Sequence, residues 1–156
     1  MARDENVKIF QDTEKRVKED PGLQEAVKRS VAGQVLIPEM MEVMDLMPEL
    51  IQNRDRYEQD AEIIVSKKRS YEAAAGYPGE RVCVHNFASA TNPGGGVTKG
   101  SSAQEECLCR CSTLYFCLNT KEMWAGFYSP HRYAQDPIHN DDCIYTPEVI
   151  VFKSDT

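Results

Sequence analysis

The 156-residue chain contains no long apolar run, no excess of basic residues, no internal repeat and no low-complexity tract. Because no stretch approaches the length that a bilayer requires, and no apolar segment follows the charged N-terminus, we expect a cytoplasmic protein without a membrane span. The formal net charge of −7 argues against broad, non-specific nucleic-acid binding, which needs a basic face, although one anion could still bind locally at a helix N-terminus. The remaining composition, with 41% hydrophobic and 28% charged residues, is typical of a globular protein large enough to bury a core.

The six cysteines do not have the spacing of a zinc site. Only one residue separates Cys107 from Cys109 and Cys109 from Cys111, whereas zinc sites usually have two to four residues between paired cysteines. A second interpretation is that Cys107 and Cys111, which are four residues apart, lie on the buried face of a helix while Cys109 points elsewhere. We therefore expect no bound metal, and no disulfide in a reducing compartment.

The first part of the sequence is expected to be mainly helical. Apolar residues recur at helical spacing over residues 6–18, at Val7, Phe10, Thr13 and Val17. Pro21-Gly22 ends this pattern, a second short helix follows, and the stretch "GQVLIP" predicts a brief strand. The methionine-rich "MMEVMDLMPEL" is either core or a flexible recognition surface.

The pattern changes after residue 60 and becomes typical of an α/β domain. Strands are predicted over residues 63–65, 81–87 and 149–152, and a helix over residues 67–75. A turn is predicted at Pro78-Gly79. Strands that alternate with a helix in this order favour an α/β fold.

A helix of several turns is predicted after the glycine-rich segment. Its apolar face consists of positions three and four residues apart: Ala103, Cys107, Cys111, Leu114 and Leu118. The sequence Ser102-Ala103-Gln104-Glu105 also matches a capping box, in which Ser102 begins the helix and Glu105 bonds back to it. This gives Glu105 a purely structural interpretation.

The segment "NPGGG", residues 92–96, directly follows the predicted strand over 81–87. A strand, a glycine-rich turn and a helix together form a site for an anion, although a tight bend without a ligand is the alternative. The dinucleotide fingerprint is absent because Lys99 occupies the place of its third glycine. The ATP-binding P-loop is absent because Ser101 occupies the place of its lysine.

Two adjacent acids, Glu105 and Glu106, lie ten residues or so beyond the glycines. Neighbouring residues on a helix are turned about 100° apart, so we expect their side chains to diverge. They are then badly placed to flank one bond from both sides, as the paired carboxylates of ordinary glycosidases do. We therefore expect one carboxylate to act first as an acid and then as a base, while its neighbour holds the substrate.

The stretch "HNFASATNPGGGVTKGSSAQEECLCRCSTLY" contains three glycines, seven further residues and then Gln-Glu-Glu. This pattern closely resembles the bacterial-type poly(ADP-ribose) glycohydrolases. The resemblance implies a macrodomain-like three-layer α/β/α sandwich with a mixed sheet. It implies that residues 1–60 form a helical N-terminal extension and that residues 61–156 form the first part of an ADP-ribose-binding catalytic domain. It also implies that the C-terminal part of that domain is missing from this chain.

The resemblance also assigns roles to individual residues. Glu106 would be the catalytic acid and base, and Glu105 would bond ribose hydroxyls. The substrate-binding positions would be Asn92 at the distal ribose and Gly94, Gly95 and Gly96 against the diphosphate and ribose. Gln104 belongs to the signature without a derived role. Lys99 would add charge near the phosphates or remain solvated, and His85 is a core histidine or a catalytic base.

The resemblance implies an enzyme that hydrolyses the ribose–ribose bond of poly(ADP-ribose), or releases ADP-ribose from a modified protein, without a cofactor. The alternatives are an ADP-ribose-binding module without turnover and an inactive fragment. A fragment would self-associate or bind a complementing C-terminal segment, because an incomplete sheet exposes an edge. Neither a membrane nor a specific DNA site is expected as a partner.

Overall fold

The computed structural model describes residues 3–39 and 59–154, which are rich in helix. The α-helices of these ranges are α1 (Arg3–Glu19), α2 (Pro21–Ala32), α3 (Ser70–Ala74), α4 (Gln104–Cys111), α5 (Leu114–Leu118), α6 (Lys121–Met123) and α7 (Ser129–Ala134). A 3₁₀ turn spans Val97–Lys99 and a π-helical turn spans Trp124–Tyr128. The strands are β1 (Val35–Ile37) and β2 (Cys143–Tyr145).

The two N-terminal helices and the short strand after them were predicted, and each forms. Helix α1 buries Phe10, Thr13 and Val17 as the spacing predicts, and it also buries Asn6. The carboxylate of Asp20 begins α2 by accepting bonds from the first backbone N–H groups of that helix, the nearest at 2.7 Å. Strand β1 pairs antiparallel with β2, with Leu36 opposite Ile144.

The three strands predicted after residue 60 are wrong as regular elements. Residues 63–65 and 81–87 have no regular secondary structure. From 149–152, Val151 forms an isolated antiparallel bridge with Ser112. A strand requires a neighbouring chain in register, and within the described ranges no chain pairs with 63–65 or 81–87 in a sheet. The helix predicted over 67–75 forms only as the shorter α3, and the methionine-rich stretch lies outside the described residues.

The long helix predicted after the glycines is interrupted at Ser112 and Thr113. Thr113 donates its backbone N–H to the Ile150 carbonyl at 3.0 Å and accepts the Ile150 N–H on its hydroxyl at 3.0 Å. Phe152 likewise donates to the Cys111 carbonyl at 3.1 Å. These bonds to a distant segment hold Ser112 in an extended conformation, so the helical periodicity continues through a point where the helix stops.

One hydrophobic core joins the N-terminal helix to the elements around the glycines. It contains Phe10 of α1, Val97 of the 3₁₀ turn, Leu108 of α4 and Tyr128 of the π-helical turn. The ring of Phe10 packs edge-on against Tyr115, with centroids 5.0 Å apart. The division of the chain at residue 60 stays a prediction, and α1 packs directly on the later part.

Helix α1 also braces the glycine-rich loop through polar contacts. The buried Asn6 side chain donates to the Gly100 carbonyl at 3.0 Å, and Thr13 donates to the Arg110 carbonyl at the end of α4. Gly100 has a φ of 76°, and a Cβ atom there would collide with the backbone of Arg3. The loop and α1 therefore approach each other as closely as a glycine allows.

We predict that Asn6→Asp destabilises the fold by about 1–3 kcal/mol, because it replaces a buried donor by an acceptor that faces the Gly100 carbonyl. Urea unfolding measures the change. The control is Asn119→Asp, an equally isosteric change at an exposed position where the bond from Trp124 to the retained oxygen persists. Equal losses in the two variants would contradict a special role for Asn6.

Candidate active site

The three consecutive glycines are each required by the folded loop itself. Gly94 and Gly95 have φ values of 67° and 58°, a region that glycine adopts without strain. A Cβ atom on Gly94 would lie 2.7 Å from a ring carbon of Tyr115. On Gly95 it would lie 2.5 Å from Oε1 of Glu106, and on Gly96 it would collide with the Ser101 hydroxyl.

The backbone N–H groups of the three glycines all have acceptors within the protein. Gly94 donates to the carboxylate of Glu105, and Gly95 donates to the Asn92 carbonyl at 3.0 Å. Gly96 donates to Oε1 of Glu106 at 2.8 Å. The loop therefore offers a ligand a close backbone surface, while its glycine N–H groups serve to hold the two acids and the turn.

Glu106 is held by one oxygen only. Its side chain leaves the first turn of α4 and is buried, with 7% of the residue exposed. Oε1 accepts the Gly96 N–H, whereas no donor within residues 3–39 and 59–154 reaches the buried Oε2. A carboxylate with one anchored and one uncommitted oxygen is oriented and still able to give or take a proton.

Glu105 has a different environment, in which both oxygens accept bonds. Oε2 accepts the Ser89 backbone N–H at 2.8 Å, and Oε1 accepts from the Asn86 side chain at 3.4 Å. Burial raises the pKa of Glu105, the bonds from Ser89 and Asn86 oppose that rise, and the negative charge of Glu106 adds to it.

The expectation that the two glutamates diverge is wrong at the level of their carboxylates. A Cβ atom placed on Gly95 would lie 2.5 Å from Oε1 of Glu106 and 3.1 Å from Oε2 of Glu105, so both carboxylates reach the same glycine. The loop bends over the start of α4, so two long side chains that leave the helix in different directions both reach it. Their proximity is also the reason that the charge of Glu106 raises the pKa of Glu105.

Gln104 fixes the segment that precedes the loop. Its Oε1 accepts the Phe87 backbone N–H at 2.9 Å, and its Nε2 donates to the His85 carbonyl at 2.8 Å and to the Ser70 hydroxyl at 3.1 Å. One amide thus satisfies backbone groups that a neighbouring strand would otherwise pair. No local pattern indicated this role, because it depends on residues 17 to 34 positions away.

The predicted capping box does not form. Helix α4 begins after Ala103, without a side-chain cap, and Ser102 lies before this position. The carboxylate of Glu105 accepts the backbone N–H of Ser89, 16 residues earlier in the chain, instead of a backbone N–H at the start of its own helix. The capping interpretation of Glu105 is therefore wrong, because its carboxylate accepts bonds from Ser89 and Asn86 instead.

Asn92 is exposed at the start of the loop, and an arginine that the sequence analysis missed holds it. The guanidinium of Arg132 donates to the Asn92 side-chain oxygen and, at 2.6 Å, to the Thr91 carbonyl. It also lies over the ring of Trp124, 4.6 Å from the centroid. The distance of 40 residues between Asn92 and Arg132 explains why no local pattern indicated this contact.

The other residues discussed from the sequence lie outside this cluster. Lys99 is exposed, as its solvated interpretation predicts. His85 is exposed as well, so the core interpretation is wrong; its ring packs against Phe87, with centroids 4.7 Å apart. The segment that carries His85 has no neighbouring strand to cover it within the described residues.

The three cysteines of α4, Cys107, Cys109 and Cys111, lie around the helix rather than on one face of it. Cys109, expected to point away from the core, is fully buried, and Cys107 is half-buried with the Arg110 guanidinium 3.0 Å from its sulfur. Burial and the neighbouring Glu105 and Glu106 charges raise the pKa of the Cys109 thiol. Over residues 3–39 and 59–154, no group of three or more metal-binding side chains is present, and no helix is long and apolar enough to cross a membrane.

Comparison with known protein families shows which family this chain belongs to. The model of the microbial-type PARG catalytic domain, where PARG denotes poly(ADP-ribose) glycohydrolase, matches residues 4–154. The chain belongs to the microbial-type PARG family. No curated protein sequence matches it.

Solved PARG structures match most of this chain and about half of their own length. The enzyme from Thermomonospora curvata bound to the inhibitor ADP-HPD is 30% identical, with a TM-score of 0.76, and the match covers 96% of this chain and 56% of that one. The PARG from Deinococcus radiodurans in complex with ADP-ribose is 31% identical, with a TM-score of 0.69, over 88% of this chain and 52% of that one. The chain thus spans about half the length of the PARG structures it matches.

The PARG fold expected from the resemblance is confirmed by these matches. The described residues contribute the helices of that fold and a two-stranded antiparallel sheet. The roles of the individual site residues stay predictions.

We predict that Gly95→Ala displaces the Glu106 carboxylate and breaks its bond to the Gly96 N–H. Hydrogen exchange of the Gly96 amide, followed by NMR, should therefore accelerate. Gly79→Ala is the matched control, because Gly79 also has a positive φ of 84° but a Cβ atom there meets nothing within 4 Å. Both variants should lose about 1 kcal/mol of stability or more through backbone strain. Unchanged Gly96 exchange in Gly95→Ala would contradict the crowding at Gly95.

Proposed function

We propose that this chain carries the catalytic glutamate of an enzyme that hydrolyses the ribose–ribose bond of poly(ADP-ribose) and releases ADP-ribose. The observation that carries the proposal is the state of Glu106, which is anchored by the Gly96 N–H and has a second oxygen without a protein donor among the described residues. The relatives with solved structures are poly(ADP-ribose) glycohydrolases, and one of them is in complex with ADP-ribose.

In this mechanism one carboxylate is used twice. Glu106 protonates the oxygen of the neighbouring ADP-ribose unit as the glycosidic bond breaks, and it then removes a proton from the water that attacks the ribose carbon. Glu105 is less suited to proton transfer because both of its oxygens accept protein bonds. Its function is to hold the loop and to bond the ribose hydroxyls beside it.

The substrate lies along the loop in this proposal. Gly94, Gly95 and Gly96 bring the backbone against the diphosphate and ribose, and Asn92 bonds the distal ribose with the amide that Arg132 orients. Gln104 contributes by fixing the preceding segment rather than by contacting the substrate. The chemistry requires only carboxylate, water and substrate, so we propose no cofactor.

We predict that Glu106→Gln lowers the release of ADP-ribose from poly(ADP-ribose) by about 100-fold or more, because an amide cannot transfer the proton. The amide oxygen still accepts the Gly96 N–H, so ADP-ribose binding by calorimetry should persist. Glu122→Gln, a change at an exposed acid of α6, is the control and should leave the release unchanged. Equal release by the Glu106→Gln variant and the unchanged chain would refute the assignment.

A second candidate function is ADP-ribose binding without turnover. It is favoured by the fact that the match covers only 56% of the Thermomonospora curvata chain, so groups that the whole enzyme uses need not be present. Binding of ADP-ribose in calorimetry, together with no release from the polymer by the unchanged chain, would identify this function.

We propose in addition that the apolar side chains near residue 64 pack against further polypeptide, either a second copy or a complementing segment. Ile63, Ile64 and Val65, three consecutive residues, are 89%, 61% and 92% exposed. A run of exposed apolar residues indicates an interaction site. We predict that sedimentation of the purified chain shows self-association, and that Ile63→Asp with Val65→Asp reduces it. A monomer at all concentrations would exclude the second copy as the partner.

A further inference from the structure

A cavity of about 490 Å³ lies next to the start of the glycine-rich loop and outside the cluster around Glu106. The π-helical turn and α7 form it, and it is lined by Trp124, Ser129, Arg132, Tyr133 and Gln135. Its lining combines two aromatic rings, one guanidinium, one hydroxyl and one amide. This set suits a ligand that has both a flat ring and an anionic group.

The guanidinium of Arg132 is held rigidly at the boundary between this cavity and the loop. Its Nε donates to the Thr91 carbonyl and its Nη2 to the Asn92 side chain, while its plane lies over Trp124. Within the described part of the chain, no acceptor is found for its Nη1. A fixed cation with an unused donor is a ready partner for a phosphate oxygen.

Two aromatic side chains provide surfaces for a base. Tyr133 is 93% exposed, which is unusual for a large aromatic residue and leaves both faces of the ring accessible. The ring of Trp124 is held by a bond from its Nε1 to Asn119 at 2.8 Å and is covered on one side by Arg132. Bases stack readily on such rings and on guanidinium planes.

We propose that this cavity binds an adenine nucleotide unit of the polymer, adjacent to the unit held by the glycine-rich loop. The inference rests on the proposed function and extends it, because a second unit on the enzyme distinguishes a polymer from a single ADP-ribose. The base stacks on Tyr133, and a phosphate of the same unit accepts a bond from Arg132. Arg132 lines the cavity and also bonds Asn92 at the start of the loop, so the cavity and the loop are adjacent.

The sequence provides a specific reporter, because Trp124 is the one tryptophan among the 156 residues. In the Glu106→Gln background, which prevents cleavage, poly(ADP-ribose) of two to three units should change the Trp124 fluorescence on binding. ADP-ribose at the lowest concentration that fills the loop should change it much less, because a single unit lacks the tether that brings a second unit into the cavity. Tyr133→Ala should weaken the binding of the short polymer about fivefold or more, as expected for the loss of one stacked base, and leave ADP-ribose binding unchanged.

The control variant is Tyr77→Ala, at an exposed tyrosine elsewhere on the surface, which should leave both affinities unchanged. If the short polymer binds but neither Trp124 fluorescence nor the Tyr133→Ala affinity changes, the cavity proposal is wrong and the proposed function stands. If neither the polymer nor ADP-ribose binds, the proposed function fails, and titration with AMP then tests the cavity alone. Fluorescence quenching by AMP that is lost in Tyr133→Ala supports the cavity; no quenching overturns it.

Discussion

The hydrogen bond from the Gly96 N–H to the Glu106 carboxylate is the contact on which the site depends. It is the last in a series of bonds that begins in α1, where Asn6 holds the Gly100 carbonyl. Gly100 in turn donates to the Val97 carbonyl, and Ser101 donates to the carbonyl of Gly96 itself. The backbone nitrogen and the carbonyl oxygen of Gly96 are therefore both hydrogen-bonded without a ligand. Functional sites require such preorganisation.

The supply of donors, rather than the carboxylates themselves, distinguishes the two adjacent acids. Glu105 receives bonds from Ser89, Asn86 and Gly94, whereas Glu106 receives one from Gly96. Two chemically identical neighbours thus acquire different capacities to exchange a proton. The glycine-rich loop and the segment before it supply these donors, so the separation of roles is a property of the backbone conformation over both.

The sequence predicted the features that depend on near neighbours along the chain. Helices α1 and α2 follow from the apolar periodicity and from the break at Pro21-Gly22, and the conformational demand on Gly94 and Gly95 follows from their succession. The features that depend on distant partners were not predictable. The interruption at Thr113 is caused by pairing with Ile150, 37 residues away, and Arg132 reaches back 40 residues to Asn92. The strands predicted after residue 60 did not form for the same reason, because apolar composition indicates an ability to pair without providing the partner.

The polar bonds that join α1 to the rest of the structure connect residues that are far apart along the chain. Asn6 and Gly100 are separated by 94 positions, Thr13 and Arg110 by 97, and Ile9 and Lys153 by 144. Because closing such long separations costs chain entropy before the contacts form, we expect these bonds to form after the helices during folding. A chain that has formed only its helices would therefore still lack an oriented Glu106.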